Sequence, residues 1–525
     1  MKFQFNAQLE YQTDAVKDVI NLFDGFKQDM DDFSLTSSIV PNVPDEYTIN
    51  WDDVFENYLS VARENDIIKD RVPSQLEFET SLPLEFTGNQ SVEYPSFTVE
   101  METGTGKTYV YLKTIFALHK EFNFSKFIIV VPSRAIYEGV LKTFVDARSH
   151  FLSHFGNPNV VLRPLEITNA SAFAEDKNLS IILTTLDSFN RVSNKVFKAK
   201  ENGSEFLPYQ MIQQTRPILI LDEPQNMESD LSQKALATLN PLFSLRYSAT
   251  HRRSPNQVYR LSPYDAYSQN LVKKIQVFGF KQYENLAFSE LQLISISKDG
   301  KSAKLKGYKD NKGLLEFTDS ITVKQNTEIF ERTANPHHKG ISIDNIDSGN
   351  GRVELSNGDI LTLDHAVETS KRDLFRAQLE ETIKFHIRKQ DELIDRGIKV
   401  LSLIFIDRVA NYKNSDGIIR TLFEELFEKN KSLSRHLRKY KAHEVHDGYF
   451  ASTKNVKTNE EIFYDEFTKE DQKEAQNRAY ALIMKDKEKL LSFDDGSDKG
   501  SKVCFVFAHS ALREGWDNPN VFQIC

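Results

Sequence analysis

The segment Met101-Glu-Thr-Gly-Thr-Gly-Lys-Thr108 constrains this chain more than any other, because it places a glycine-rich turn between an apolar run and a helical pattern. Strand, tight loop and helix in that order form a cradle for phosphate. Gly104 and Gly106 let backbone N–H groups turn inward, and the helix that follows presents its positive end to the same point. Lys107 adds a charge at the terminal phosphates, and the Thr108 hydroxyl can ligate Mg²⁺. Residues Thr103, Gly104, Thr105, Gly106, Lys107 and Thr108 are therefore the candidate nucleotide loop, although Met101 stands where Gly or Ala is usual.

The surrounding pattern requires a parallel sheet. Short apolar runs at Phe97–Met101, Phe127–Val131, Ile181–Thr184, Ile218–Leu221 and Phe243–Tyr247 alternate with amphipathic stretches such as Thr108–Lys120. Apolar residues on consecutive positions mark strands buried on both faces, and strands alternating with helices mark an α/β fold. One of these runs ends in Asp222-Glu223. At a strand end beside a phosphate loop, Asp222 can hold Mg²⁺ opposite Thr108, and Glu223 can orient and polarise an attacking water.

Four regions follow from composition shifts. Residues 1–95 read as mostly helical with a polar interruption at Pro41–Asn50, and 96–276 as the first α/β lobe. Residues 277–364 read as a β-rich insertion, since Lys-Asp-Gly300, Asp-Ser-Gly-Asn-Gly351 and Ser-Asn-Gly-Asp359 punctuate alternating runs. Residues 365–525 open with a long helix, Val367–Arg396, followed by a strand at Val400–Ile406, a helix at Gly417–Glu428 and strands at Val503–Phe507 and Val521–Ile524. That region reads as a second α/β lobe, cut short at Cys525.

Bulk properties exclude several classes. No apolar run reaches the roughly 18 residues that cross a membrane, and the N-terminus lacks a secretory signal. Cys504 and Cys525 are the only 2 cysteines, too few for a disulfide framework or a paired-cysteine metal site, which points to a reducing cytoplasm. The net charge of −10 does not advertise a nucleic-acid binder, but an acidic total can hide a local basic groove. The basic cluster Arg435-His-Leu-Arg438-Lys439-Tyr-Lys441 reads as a solvated helix face before a phosphate contact. The same ambiguity attaches to His251-Arg252-Arg253. His337-His338 and His443/His446 lack zinc-like companions.

Together with Ser248-Ala-Thr250 at the next strand end, the loop and the acidic pair resemble the motif set of helicase superfamily 2. Tyr11-Gln12 is similar to that family's adenine-reading glutamine motif. Val131-Pro-Ser133-Arg134 and Leu183-Thr184-Thr185 look like its strand-contacting motifs, and Ser402–Arg408 like the motif opening its second lobe. Ser510–Pro519, with Gly515 and Asp517, resembles its fifth motif. The wording Met-Glu-Thr-Gly-Thr-Gly-Lys-Thr, Asp-Glu-Pro-Gln-Asn-Met-Glu and Arg-Glu-Gly-Trp-Asp-Asn-Pro resembles the Res subunit of type III restriction enzymes.

That resemblance implies two RecA-like lobes, the second incomplete, with ATP and Mg²⁺ as cofactors and Lys107, Asp222 and Glu223 as catalytic residues. Gln12 would join Thr103–Thr108 in binding ATP. Ser248, Thr250, Gly515 and Asp517 would couple ATP state to nucleic acid, and Ser133, Arg134, Thr184 and Thr185 would meet duplex DNA. A methyltransferase (Mod) subunit would supply site recognition, in a bacterial cytoplasm and with no membrane partner. Res subunits continue into a sixth motif and a nuclease domain, neither of which falls within Met1–Cys525. DNA cleavage is therefore not expected of this polypeptide. Its hydrolysis is expected to lack an arginine contribution worth ~10³-fold or more. A stand-alone superfamily 2 helicase and a non-hydrolysing ATP-binding interaction module are the rival readings.

Overall fold

The computed structural model describes residues 6–28, 38–69, 72–85, 87–88, 90–190, 194–197, 206–277, 291–311, 313–356, 359–363, 368–414, 417–454, 461–464, 475, 489–494, 496, 500–509 and 520–525. The chain divides into two compact units, Met1–Ile275 and Gln276–Cys525.

The first unit is built on an eight-stranded sheet. Its strands are β1 (Phe78–Ser81), β2 (Val92–Met101), β3 (Lys126–Val131), β4 (Val160–Pro164), β5 (Leu179–Thr185), β6 (Ile218–Asp222), β7 (Ser244–Ser248) and β8 (Gln257–Leu261). The order is β1-β2-β7-β6-β3-β5-β4, with β8 also on β2, and every pairing is parallel except β1 with β2. Consecutive apolar residues supply both faces, as a sheet covered by helices on each side requires. Along β3, Phe127, Ile129 and Val131 join one core while Ile128 and Val130 join the other.

Helices α1 (Glu10–Asn21), α2 (Trp51–Glu64), α3 (Lys107–Phe122) and α4 (Arg134–His154) pack onto the first of those faces, where Val19, Phe23 and Leu59 share a core with Phe97 and Leu245. The opening residues are thus part of this unit's core. The expectation of a mostly helical opening holds for α1 and α2 but missed β1 and the early start of β2. The polar stretch at Pro41–Asn50 is also docked. Buried Asn42 donates to the carbonyls of Lys126 and Arg216 and accepts from the backbone of Ser125 and Lys126, capping the start of β3.

In the second unit, strands Leu291–Ile296, Ser302–Asn311 and Leu314–Lys324 form one antiparallel sheet, and Ile343–Asp347, Arg352–Leu355 and Ile360–Thr362 another. Leu305, Val323, Ile343 and Val353 close them around one small core. Helix Glu368–Leu393 leads into a parallel sheet ordered His446–Tyr449, Phe505–Ala508, Leu401–Phe405, Val521–Ile524. Two parallel α/β sheets, with antiparallel β structure between them in sequence, agree with the fold class expected.

The expected solvated helix at Arg435–Lys441 is corrected by the structure. That stretch is irregular around a short 3₁₀ turn, and Arg435 pairs with Asp395 at 3.2 Å. No helix among the described residues is long and apolar enough to cross a membrane.

Candidate phosphate-binding site

The parallel register brings the sequence-predicted residues to one edge. Glu100 of β2 pairs with Ser248 of β7, Asp222 of β6 with Tyr247, and Val131 of β3 with Thr185 of β5. The loops after β2, β6, β7, β3 and β5 therefore leave from the carboxyl ends of neighbouring strands, the edge at which open α/β sheets bind ligands.

The loop between β2 and α3 turns through two left-handed glycines, Gly104 at φ +84° and Gly106 at φ +89°. Thr103 and Gly104 are exposed, whereas Thr105 is buried and its hydroxyl donates to the Glu102 carbonyl at 2.6 Å. Tyr11 and Gln12 of α1 clasp this turn, each donating to the Thr105 carbonyl at 3.0 Å. The Gln12 amide lies so close that a Cβ on Gly106 would meet it at 2.7 Å. Gln12 is thus placed against the loop's backbone.

Across the edge, Lys107 Nζ donates to Glu223 Oε1 at 2.6 Å. The other oxygen of Glu223 accepts from the Ser248 hydroxyl at 2.6 Å and the Gln225 amide at 2.7 Å. Burial pushes the Glu223 carboxyl up, but the Lys107 charge and these hydrogen bonds outweigh it and hold it below its ordinary range. Glu223 sits at φ +53°, a left-handed conformation that turns the chain from β6 into the Pro224–Asn226 turn. Strain of that kind collects at functional sites.

Asp222 ends β6 with its side chain buried. Burial pushes its carboxyl up to about 7, with Lys107 opposing and Glu223 adding to the shift. Tyr111, one turn into α3, donates its hydroxyl to Asp222 Oδ2 at 3.2 Å. Sequence reading missed Tyr111. Its spacing of three from Thr108, which puts both side chains on one face of a helix, was the available signal.

Ser248 and Thr250 adjoin the acidic pair. The Thr250 amide donates to the Ser248 hydroxyl at 3.0 Å, and Gln225 bridges Glu223 to Thr250 Oγ1 at 3.2 Å. The next residue, His251, bonds the Val99 carbonyl through Nε2 at 3.3 Å, and burial pushes its ring down to about 4. Behind them, buried Arg246 meets Glu228 at 2.9 Å and Glu79 of β1 at 3.5 Å, which ties the loop after β6 to the sheet edge.

The residues expected to meet nucleic acid divide. Ser133 caps α4, accepting from the Ile136 amide, and Arg134 is half-exposed, paired with Glu138 at 2.7 Å and lying over the Tyr137 ring. Thr184 is buried and its hydroxyl donates to the Thr185 carbonyl. Thr185 is partly exposed at that strand end, its hydroxyl bonded to that of exposed Ser188 at 2.9 Å. Gly515 and Asp517 lie outside the described residues. Among the described residues no group of three or more His, Cys, Asp or Glu is placed to hold a metal. His338 and His446 are instead bonded within the fold, to Thr333 and to Tyr412.

Residues 8–253 match the family model described as type III restriction enzyme, res subunit. The chain is 27% identical over 495 residues to the Res subunit of the StyLTI enzyme of Salmonella typhimurium, covering 81% of this chain and 47% of that protein. It is 28% identical over 472 residues to the EcoP15I Res subunit of Escherichia coli, covering 81% of this chain and 45% of that one. The chain thus spans about half the length of the curated relatives it matches. Among solved structures it is similar to the type ISP restriction-modification enzyme LlaBIII bound to DNA, with TM-score 0.36 and 11% identity over 82% of this chain and 24% of that one. It is also similar to the Mycobacterium smegmatis helicase Lhr bound to ssDNA and AMP-PNP, with TM-score 0.35 and 12% identity over 82% and 39%.

Proposed function

From a chain that is a relative of the Res subunits of type III restriction enzymes, we propose the motor portion of such an enzyme, which binds and hydrolyses ATP with Mg²⁺ and uses that cycle to move or switch on duplex DNA. The observation that carries this reading is the cluster at one sheet edge. Lys107, Glu223 and Ser248 are linked by bonds of 2.6 Å beside a two-glycine loop at a helix N-terminus.

Each group has a task in that chemistry. The Gly104–Thr108 backbone and the start of α3 hold phosphate oxygens. Lys107 exchanges Glu223 for a phosphate when nucleotide enters. Glu223, still held by Ser248 and Gln225, orients a water and takes its proton. The Thr108 hydroxyl and the Asp222 carboxylate, the latter held by Tyr111, are oxygen donors of the type Mg²⁺ takes. When bound, the ion neutralises charge on the phosphate oxygens. Ser248 and Thr250, bonded to the Glu223 network, transmit its state toward the nucleic acid. Duplex DNA lies along Ser133, Arg134 and Thr185, and a methyltransferase (Mod) subunit supplies recognition in the bacterial cytoplasm.

Mg²⁺-dependent ATP hydrolysis, measured with and without duplex DNA, tests the proposal. Turnover stimulated by DNA and abolished in Lys107→Ala and Glu223→Gln is expected. Absence of ATP binding, or hydrolysis indifferent to both substitutions, overturns it.

A further inference from the structure

We propose that Tyr111 is a positioning residue for the divalent cation: its hydroxyl fixes how the carboxylate of Asp222 faces the Thr108 end of α3. The inference rests on the proposed function of this site and adds a residue that the phosphate loop and acidic pair do not include.

Asp222 and Thr108 come from different elements, the end of β6 and the first turn of α3. Nothing in the backbone ladder joins those two side chains. Tyr111, on the same face of α3 as Thr108, reaches across from that helix: its hydroxyl donates to Asp222 Oδ2 at 3.2 Å. Its ring is held by packing. Tyr111 is fully buried, and its ring packs at 5.5 Å from that of Tyr247 on β7. The Tyr247 hydroxyl is in turn anchored to Thr114 Oγ1, one turn further along α3, at 3.2 Å. Tyr111 is thus held through the ring of Tyr247, whereas the Tyr247 hydroxyl makes a separate bond that involves neither Tyr111 nor Asp222.

A buried hydroxyl bonded to one oxygen of Asp222 sets the orientation of that carboxylate toward a cation. Partners of this kind orient metal donors, and losing one typically costs ~10–100-fold in metal affinity. A merely structural tyrosine would lower stability without changing how nucleotide binding depends on Mg²⁺.

The test separates these roles without requiring turnover. Binding of a fluorescent, non-hydrolysable ATP analogue to the full chain is titrated against Mg²⁺, with thermal melting recorded in parallel. Tyr111→Phe keeps the ring against Tyr247 and removes only the hydroxyl. It is expected to raise the Mg²⁺ concentration for half-maximal binding roughly tenfold, while metal-free binding in EDTA stays at the wild-type level. Tyr247→Phe deletes the other hydroxyl and is expected to leave the Mg²⁺ midpoint unchanged. Should the phenylalanine variant not fold, Tyr111→Met, a flexible side chain that fills irregular core space, carries the same prediction.

A wild-type midpoint in the Tyr111 variant overturns the inference. So does an equal shift in Tyr247→Phe, which would report general loosening. If the wild-type chain binds the analogue with no Mg²⁺ dependence, or not at all, the proposed function itself fails, and that result is distinct from either.

Discussion

Lys107 Nζ and Glu223 Oε1 stand 2.6 Å apart, so the cation that the loop offers to phosphate is already engaged by the carboxylate proposed to activate water. Both side chains are largely buried, with 12% and 23% of their surface exposed, and a pair so shielded is held more firmly than one on the surface. Nucleotide must therefore compete with Glu223 for Lys107. Glu223→Gln removes the competing charge and keeps the shape. It is expected to bind ATP several-fold more tightly than wild type while turning over at least ~10²-fold more slowly, the scale of a lost general base. Parallel fluorescence titration and phosphate-release assays check both halves. Weaker binding in this variant would show that the ion pair does not oppose nucleotide.

The edge over β3 and β5 gives a second prediction. Thr185 is partly exposed, whereas Thr184 is buried and bonded to a carbonyl. With a labelled duplex and a non-hydrolysable nucleotide present, Thr185→Ala is expected to weaken binding roughly threefold to tenfold, the value of a single hydrogen bond. Thr184→Val should leave affinity unchanged, because no ligand reaches that hydroxyl. Fluorescence anisotropy decides it, and the reverse ranking would move the DNA path off this strand end.

Most of this geometry was legible in the sequence because it depends on short-range patterns. A run such as Ile218–Leu221 specifies a strand buried on both faces, and parallel pairing then carries Asp222, Ser248 and Thr185 to one edge. What stayed hidden depends on burial that only the folded chain defines. β1 reads Phe-Glu-Thr-Ser, with no strand periodicity, and its Glu79 is buried because Arg246 meets it from β7. Asn42 reads as part of a polar interruption, yet four hydrogen bonds hold it inside. Thr184 and Thr185 are neighbours in sequence on a strand buried on both faces, and only the last residue, Thr185, emerges at the strand end. Tyr111 is indistinguishable by residue type from Tyr109 until the fold places its hydroxyl on Asp222.

In the second unit, fully buried His386 hydrogen-bonds Ser402 Oγ at 2.7 Å, with its ring centroid 4.1 Å from that of Phe505. Burial, with smaller contributions from Lys399 and His436, pushes its pKa down from 6.5 to about 3. Between those values the unfolded chain binds a proton that the folded unit does not. This contribution is therefore intact above pH 6.5 and is lost as pH falls toward 3. The slope approaches about 1.4 kcal/mol per pH unit for one proton. Denaturant unfolding followed from pH 7 to pH 5, above most carboxylate titrations, should show stability falling in wild type and a shallower fall in His386→Asn. Parallel slopes would mean that the ring does not titrate on unfolding.

Gly106 combines two constraints that a double-mutant cycle can separate. Its φ of +89° is costly for any L side chain, and a Cβ there would meet the Gln12 amide at 2.7 Å. Gly106→Ala should therefore weaken nucleotide binding by both routes. Left-handed backbone strain alone is worth about 1–2 kcal/mol, which is roughly tenfold in affinity. Gln12→Ala removes the second obstacle but also one of the two donors on the Thr105 carbonyl, where Tyr11 still holds on. Alone it should weaken binding only a few-fold, as the loss of a neutral hydrogen bond does. In the double variant the clash is absent while the strain remains. Its affinity should therefore exceed the value expected by adding the single effects, yet stay below that of Gln12→Ala. Nucleotide titrations on the four proteins give the coupling directly. Strict additivity would mean that Gln12 moves aside at no cost, and the clasp of α1 on the loop would then be too loose to set the loop's geometry.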